Sequence, residues 1–325
     1  MSQSLYEILK AGKMVSKTLW ARGKSISPTD YDTILRVVSE GRAADYFNIS
    51  DQILTTYTDT AGNEYEMPWD IVAFRDVTLE SGIVVPGMVI QSHYATVEEI
   101  QFDAPEPTRP AEQDYQRQIA QYGWGRWSMS AYRQWLNSSA TAGNWWTAQH
   151  EYDAAPSQAN TVNGFMHGLP AEFLAMLQPV KVETCRNYRD PDTAQASGTY
   201  EYDTTYDTFF LPSKEEEYTV PNEPDHREGR VWQYWVNALT APAIEINEAL
   251  PQQNYASAEV THTIKAHRRF MINNKTNSAS VRLRSAIRYY AYYVWFIDSG
   301  GRVNYISANS SLRGAPACVI CKSIN

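Results

Sequence analysis

Thiols are the first residues of this 325-residue chain that could do chemistry. The cysteines are Cys185, Cys318 and Cys321, and the last two have the C-x-x-C spacing of redox and zinc motifs. A redox pair needs a helix start, and a zinc site needs a second pair of ligands. Neither accompanies this pair, and three cysteines are too few for a disulfide framework. We therefore interpret the thiols as structural and predict no metal site and no cofactor.

Carboxylates are abundant in the second half of the chain. A glycan-cleaving enzyme would need two positioned acids and aromatic platforms for sugar rings. The candidate acids are Asp190, Asp192, Asp203, Asp207, Glu215, Glu216 and Glu217, and the candidate platforms are Trp145, Trp146, Trp232 and Trp235. The glutamate run is typical of a solvated helix start, tryptophans of this kind more often pack under loops, and the histidines are scattered. We predict that the protein is not an enzyme, with glycan hydrolysis as the alternative.

Aromatic residues crowd the C-terminal end of the chain. The protein has 22 Tyr and 10 Trp, and residues 281–320 contain the adjacent doublets Tyr289-Tyr290 and Tyr292-Tyr293. Neighbours on a strand point to opposite faces, so one buried face cannot take all four rings. Exposed Tyr mixed with Ser, Asn and Gly is the composition of an antibody-type contact surface. The competing interpretation is an ordinary sheet with cross-strand tyrosine pairs.

Short elements must position these residues. We predict helices in residues 2–20 and 29–41, a hairpin turning at Ala61-Gly62-Asn63 and a strand pair in residues 82–96. Residues 103–113 are rich in proline and acids and indicate a loop. Helices are predicted in residues 128–139 and 169–180, a strand at 208–211 turning into a short helix, and a C-terminal hairpin with its tip at residues 299–301. Helices mixed with short strands, without a βαβ rhythm, indicate an α+β fold.

Four short motifs frame the C-terminal segment, at residues 281–286, Val294-Trp295, residues 299–301 and residues 313–317. With these motifs, the segment resembles the end of C-type-lectin-fold variable proteins of diversity-generating retroelements, a group that includes phage tropism determinants. Weaker matches lie at residues 67–74, 133–137, 164–170 and 209–213. The resemblance implies a C-type-lectin-like domain of the formylglycine-generating-enzyme-like branch. The oxidase of that branch uses active-site cysteines and a metal, and the cysteines here lie beside the closing motif without such a ligand set.

In such variable proteins, a reverse transcriptase changes adenines in a template, so that asparagine codons of the AAY type are diversified. The residues between the fixed motifs are all reachable from such a codon by changing adenines, and none is Lys, Glu, Gln, Met or Trp. The resemblance therefore implies a hypervariable ligand-binding set made of Ile287, Tyr289, Tyr290, Tyr292, Tyr293, Phe296, Asp298, Arg302, Asn304, Tyr305, Ile306, Ser307, Asn309, Ser310 and Leu312. Leu283, Val294, Trp295, Val303 and Pro316 are expected to form the frame that holds them.

The resemblance also implies an organisation and a function. Residues 1–40 would be a helical N-terminal segment for particle docking or oligomerisation, and residues 41–325 a ligand-binding domain with variable region 287–312. We expect a phage or prophage tail protein of the virion that recognises a bacterial cell-surface protein or glycan. Its other partners would be virion tail proteins and further copies of itself, with a trimer favoured. A non-diversified structural tail protein is a second alternative, and calcium binding stays open.

Bulk composition bears on what the protein does not bind. The net charge is -9 and the pI is near 5.2, which argues against a phosphate-backbone partner such as nucleic acid. No apolar run is long enough to span a bilayer, and the polar start of the chain does not have the zones of a signal peptide. We therefore expect no nucleic acid partner, no membrane insertion and synthesis in the bacterial host cytoplasm without a signal peptide.

Overall fold

The computed structural model describes residues 26–186, 201–217, 228–240, 246–247, 263–264, 267–287 and 290–322. The helices of these residues are short. They are α1 (Tyr31–Ser39), α2 (Ala43–Tyr46), α3 (Asp114–Tyr122), α4 (Ala131–Leu136), α5 (Ala171–Leu174) and α6 (Gln233–Thr240), with 3-10 turns at Trp127–Met129 and Phe165–Gly168. None of them is long and apolar enough to cross a bilayer.

Sixteen strands make up the rest of the regular structure in the described residues. They are β1 (Gln52–Thr58), β2 (Glu64–Thr78), β3 (Val84–Ser92), β4 (Ile100–Gln101), β5 (Val180–Cys185), β6 (Tyr202–Asp207), β7 (Phe209–Phe210), β8 (Ile246–Asn247), β9 (Thr263–Ile264), β10 (Arg269–Met271), β11 (Asn274–Ala279), β12 (Val281–Ala286), β13 (Tyr293–Ile297), β14 (Val303–Ser307), β15 (Ser311–Gly314) and β16 (Ala317–Ile320). Nearly all pairings are antiparallel, so the fold is mixed α+β with mostly antiparallel sheets and few helices, as predicted.

The first large sheet has the strand order β1-β2-β3-β16-β7. Its middle strands are buried along most of their length, and residues 67–73 of β2 are all buried. The last strand of the chain lies inside this sheet, with Ala317 opposite both Gln91 of β3 and Phe210 of β7. Strand β16 therefore completes the central core.

Helix α1 packs into the same core. Asp30 begins it as the N-cap, accepting a hydrogen bond from the Thr33 amide, and Ile34, Val37 and Val38 are fully buried in the main hydrophobic cluster. The helix predicted in residues 29–41 is therefore confirmed. The helix is not an appendage, however, because its apolar face shares the core of the first sheet. The proposed segment border at residue 40 stays a prediction, and the predicted helix at 2–20 lies outside the described residues.

The second large sheet has the order β14-β13-β12-β15-β4. Strands β13 and β14 form the predicted C-terminal hairpin, in which Gly301 adopts the positive φ of 89° that its tip requires. Strands β12 and β15 run parallel, with Val281 opposite Arg313. The predicted frame residues Leu283, Val294, Trp295, Val303 and Pro316 are buried.

Several local predictions need correction. Residues 82–96 contain one strand, β3, because its partners are β2 and the distant β16. The helix expected in residues 169–180 is a single turn, since the chain enters β5 at Val180. The acidic run after Pro212 forms a turn and no helix. Helix α3 was not predicted. The hairpin at residues 61–63 and helix α4, capped by Ser130, are confirmed.

Candidate functional site

A tyrosine cluster lies where β13, β14 and the end of α3 meet. We define it as Tyr122, Tyr290, Tyr292, Tyr293 and Tyr305, all of them partly or largely exposed to solvent. Tyr292 is central, with its ring centroid 4.0 Å from that of Tyr293 and 4.8 Å from that of Tyr122. Tyr290 contacts both Tyr292 and Tyr293, at 6.0 and 5.3 Å. The rings therefore form one continuous aromatic surface.

The buried side of the tyrosine cluster rests on the hairpin frame. Tyr305 lies 5.0 Å from Tyr293 and 5.7 Å edge-on from Trp295, which is buried. The Lys214 ammonium lies 3.6 Å from the Trp295 ring, a cation–π contact. Such contacts fix the rings beneath the tyrosines, so the exposed surface has a rigid support.

Tyr292 and Tyr293 do not lie on opposite faces, as neighbouring residues within one strand would. Strand β13 begins at Tyr293, and Tyr292 precedes it in a turn, so the alternation of a strand does not apply to this pair. Burial, followed by the neighbouring hydroxyls of Tyr293, Tyr122 and Tyr290, raises the pKa of Tyr292. Its phenol is therefore neutral at physiological pH.

Main-chain hydrogen bonds hold the turn beside the tyrosine cluster. The Arg282 guanidinium donates to the carbonyl of Ser310 at 2.6 Å and to that of Ser307 at 3.5 Å, and Gln101 donates to the carbonyl of Asn309 at 2.8 Å. The amide of Ala308 donates to the carbonyl of Tyr292 at 2.8 Å. All of these bonds end on backbone atoms of the turn, so they do not depend on which side chains stand at positions 307, 309 and 310.

Arg282 itself is fully buried. In the described part of the chain no carboxylate pairs with it, and its guanidinium lies over the Phe102 ring at 5.9 Å. Burial lowers the pKa of Arg282 to about 9. Burying a charge without an opposite charge is costly. The hydrogen bonds of Arg282 to the carbonyls of Ser307 and Ser310 offset part of this cost, so they are structurally important.

The predicted variable residues on the hairpin strands are divided between two faces. Directly opposed residues share a face, so Tyr293 and Ser307 lie on the face of Tyr305. On the other face, Phe296 is opposite Asn304 and Ile306 is opposite Val294. The predicted set therefore does not form a single surface, because the two-residue period of a strand places alternate side chains on opposite faces.

The other predicted residues lie around this hairpin. Asp298 shapes its tip, accepting hydrogen bonds from the amides of Gly300 and Arg302 at 2.8 and 2.9 Å, while the Arg302 side chain is exposed. Asn309, Ser310 and Leu312 are half-buried in the turn and in β15.

Two predicted contact residues are not accessible. Ile287 is 4% exposed and belongs to the hydrophobic cluster beneath the second sheet, and Phe296 is 9% exposed. Their apolar side chains are buried because β12 and β13 pack on the core at these positions, so neither contributes to the tyrosine cluster. Tyr289 lies outside the described residues.

One of the comparisons with known proteins identifies a family. A family model described as "Domain of unknown function (DUF6273)" matches residues 89–322, which is more than half of the chain. The chain belongs to this family. No curated protein and no solved structure matches it. The DUF6273 region contains the whole tyrosine cluster, whereas α1, β1 and β2 precede it although they share its core.

Within the DUF6273 region two of the three acids at 215–217 are buried and Glu215 is half-buried, which corrects the prediction of a solvated helix start. Glu216 and Glu217 are each 2% exposed. Glu216 accepts from Arg284 at 2.5 Å and from Arg75 at 3.2 Å, and Glu217 accepts from Gln91 at 2.7 Å. These partners come from β2, β3 and β12, so the run joins both large sheets.

Asp203 and Asp207 are also held by basic side chains, whereas the half-buried Glu215 accepts a hydrogen bond from the Glu228 amide at 3.1 Å. Asp203 pairs with Arg126 at 2.7 Å and with Arg186 at 2.5 Å, and Asp207 pairs with Arg133 at 2.6 Å. The hydrogen bonds of Arg126, followed by those of Ser128 and Arg186, outweigh burial and keep the pKa of Asp203 below its usual value. Asp190 and Asp192 lie outside the described residues.

The three cysteines and three of the four candidate tryptophans are buried, as expected of residues that pack in the protein interior. Cys318 and Cys321 are buried free thiols at β16, and burial raises the pKa of both. No group of three potential metal ligands occurs among the described residues. Trp145, Trp232 and Trp235 are buried in the main core, so packing under loops is confirmed for them.

Proposed function

We propose that this protein is a diversified ligand-binding protein of C-type-lectin-like fold, in which the tyrosine cluster and its surroundings contact a bacterial surface molecule. The proposal places it in a phage or prophage tail, as a variable protein of a diversity-generating retroelement. The resemblance of residues 281–317 to such proteins supports it, as does the partial exposure of the tyrosines described within them.

The observation that carries the proposal is the division of the C-terminal segment into two kinds of position. The residues that the resemblance marks as variable are partly or fully exposed wherever they are described, apart from Ile287 and Phe296. The intervening Ala291, Val294 and Trp295 are buried, and so are Val303 and Ala308 further along. Substitution at an exposed position usually changes the free energy of unfolding by about 0.5 kcal/mol or less. The segment can therefore change its surface while its core contacts persist.

The tyrosine cluster has the properties of a contact surface. Rigid rings supply large areas at a small cost in conformational entropy, and the neighbouring Ser307 and Asn309 supply adaptable hydrogen bonds. Buried aromatic anchors at interfaces each contribute about 2 kcal/mol or more on truncation. Several copies in a symmetric tail would multiply a modest affinity, which favours an oligomer.

Glycan hydrolysis is the less favoured alternative. A general acid and a nucleophile or base must be free to reach a sugar. Asp203, Asp207 and Glu216 instead share their oxygens with arginines inside the protein.

The retroelement assignment has a direct test in the neighbouring DNA. We expect a near-copy of the 3′ coding end, differing at positions that are adenines in the copy, beside a reverse-transcriptase gene. A locus with neither feature would contradict the assignment and would favour a non-diversified tail protein.

Binding by the tyrosine cluster has a separate test. The labelled protein would be applied to a panel of bacterial strains and measured by flow cytometry. Tyr292→Ala combined with Tyr293→Ala should abolish binding to any strain that the unchanged protein stains, whereas the control Tyr206→Ala, on β6, should not. Sustained release of reducing ends from envelope polysaccharide, lost on a single carboxylate substitution, would replace binding with catalysis.

A further inference from the structure

Tyr122 is the member of the tyrosine cluster that comes from outside the C-terminal segment. It is the last residue of α3 and is 40% exposed, which makes it one of the few large hydrophobic side chains in the described residues with so much open surface. Its ring stacks on that of Tyr292 at 4.8 Å and an interplanar angle of 28°. One edge of the aromatic surface is thus supplied by a separate element.

The end of α3 is held firmly in this place. Ile119 is fully buried in a small cluster with Trp124 and Ala291. Gly123, which ends the helix, has a φ of 76°, and a Cβ there would lie 2.5 Å from the carbonyl oxygen of Asp103. The chain therefore turns away at a position that only glycine fits, and Tyr122 remains at the surface.

The contact between Tyr122 and the C-terminal segment also runs through the backbone. The Asn309 amide donates to the carbonyl of Tyr122 at 2.8 Å, and the Asn309 side chain donates to the carbonyl of Gln121 at 3.3 Å. The first bond persists with any residue other than proline at position 309. Tyr122 therefore keeps its place when the side chains of the neighbouring segment change.

We propose that Tyr122 is a permanent anchor of the ligand-binding surface. Lying outside residues 287–312, it stays the same while they vary, and it supplies an aromatic contact to each ligand that the segment recognises. This inference rests on the proposed function. A surface built in this way combines one constant ring, which contributes affinity, with exchangeable neighbours that determine specificity.

The physical basis is the pre-organisation of the ring. A tyrosine on a fixed helix end loses little conformational freedom on binding, and its open face offers area for apolar or C–H-rich groups of the ligand. Anchors of this type account for a large share of interface energy, with losses of about 2 kcal/mol or more on truncation. That loss corresponds to a dissociation constant about 30-fold higher.

The test uses two yeast-display libraries of the full chain, with egg-white lysozyme as the selection target. Both libraries are randomised at positions 292, 293, 305, 307 and 309. One keeps Tyr122, and the other carries Tyr122→Ala. We expect binders from the first library and few or none from the second at equal display level, which reports folding.

Selected binders then receive single substitutions at position 122. Tyr122→Ala should weaken most of them by about 10-fold or more, and Tyr122→Phe by about 3-fold or less, because the ring face carries the contact. Tyr122→Leu keeps an apolar side chain without the flat ring and should also weaken binding. The control Tyr206→Ala should leave affinity within about 2-fold, and thermal unfolding midpoints are measured for every variant.

The possible failures are distinguishable. Binders that keep their affinity with Tyr122→Ala or Tyr122→Leu would overturn the anchor while leaving the proposed function intact. A loss of affinity that follows the unfolding midpoint in all variants would assign Tyr122 to packing alone and would also overturn it. If neither library yields a binder, the anchor and the proposed function fail together.

Discussion

Replacing Arg282 by methionine should loosen the turn at residues 307–310 without unfolding the protein. Methionine keeps an apolar chain over Phe102 but cannot donate to the carbonyls of Ser307 and Ser310. A hydrogen bond from a charged donor contributes about 1.5–3 kcal/mol, so the equilibrium for opening the turn should rise about 10- to 100-fold.

The global free energy of unfolding should change much less in this variant. The lowered pKa of Arg282, about 9, means that the folded protein disfavours the charged guanidinium. Removing that charge relieves its desolvation and offsets the lost hydrogen bonds, so we expect a net change within about 1 kcal/mol.

Hydrogen exchange followed by mass spectrometry separates these two effects. Peptides covering residues 305–312 should exchange faster in Arg282→Met, while peptides from β2 and β3 should not change. Arg302→Met, at the exposed hairpin tip, is the control and should leave exchange in both regions unaltered. Unchanged exchange at 305–312, or an equal increase throughout the protein, would refute the reasoning.

Three further predictions concern groups that the structure buries. Burial raises the pKa of Glu217 from 4.5 to about 7, so its carboxyl ionises less readily in the folded than in the unfolded chain. The free energy of unfolding should therefore fall by on the order of 3 kcal/mol as the pH rises from about 4.5 to about 7. Glu217→Gln should remove this share of the pH dependence in urea titrations, and an unaltered profile would contradict it. Glu216→Gln leaves two guanidinium groups without their shared carboxylate and should lower the free energy of unfolding by about 3–5 kcal/mol. The control Glu183→Gln, at a more exposed ion pair, should lower it by less than about 1 kcal/mol. Equal losses in the two variants would count against the buried network. Cys318 and Cys321 should resist iodoacetamide at pH 8 in the folded protein and react after denaturation, and mass-spectrometric detection of either adduct before unfolding would show that the thiols are accessible.

Features with a local signal could be predicted from the sequence. The Asp30 side chain caps α1 by accepting a hydrogen bond from the amide of Thr33, only three residues further along the chain. The glycines at 300–301 allow the chain to reverse direction in a tight turn between β13 and β14. Signals of this range require no knowledge of distant partners. The burial pattern of the two strands beside that tip does not alternate, because four successive residues of β13 are buried and four successive residues of β14 are half-buried.

Features that depend on distant partners were missed or misjudged. Glu216 is buried because Arg75 and Arg284 reach it from strands more than 60 residues away, which a run of three acids does not reveal. Helix α3 is mostly polar, and among its residues only Ile119 is buried, so its apolar periodicity is weak. The pairing of Gln113 with Gln116 in a capping box was the one local sign of its start.

The tyrosine cluster combines both situations. Tyr292 and Tyr293 were identified from their crowded neighbourhood, whereas Tyr122 joins them through the packing of α3. The burial of Ile287 and Phe296 also depends on how β12 and β13 pack on the core, which codon patterns do not describe.

The position of β16 between β3 and β7 makes the first large sheet depend on residues 317–320. Until Ala317–Ile320 have been synthesised, β3 and β7 have a gap between them, and the apolar side chains around it stay open to water. A chain that is truncated or frame-shifted before residue 317 is therefore expected to be degraded by proteases before it can assemble. Under the proposed function, folding would therefore remove truncated or frame-shifted variants of the segment, and limited proteolysis should cleave a chain ending at residue 316 faster than the full chain.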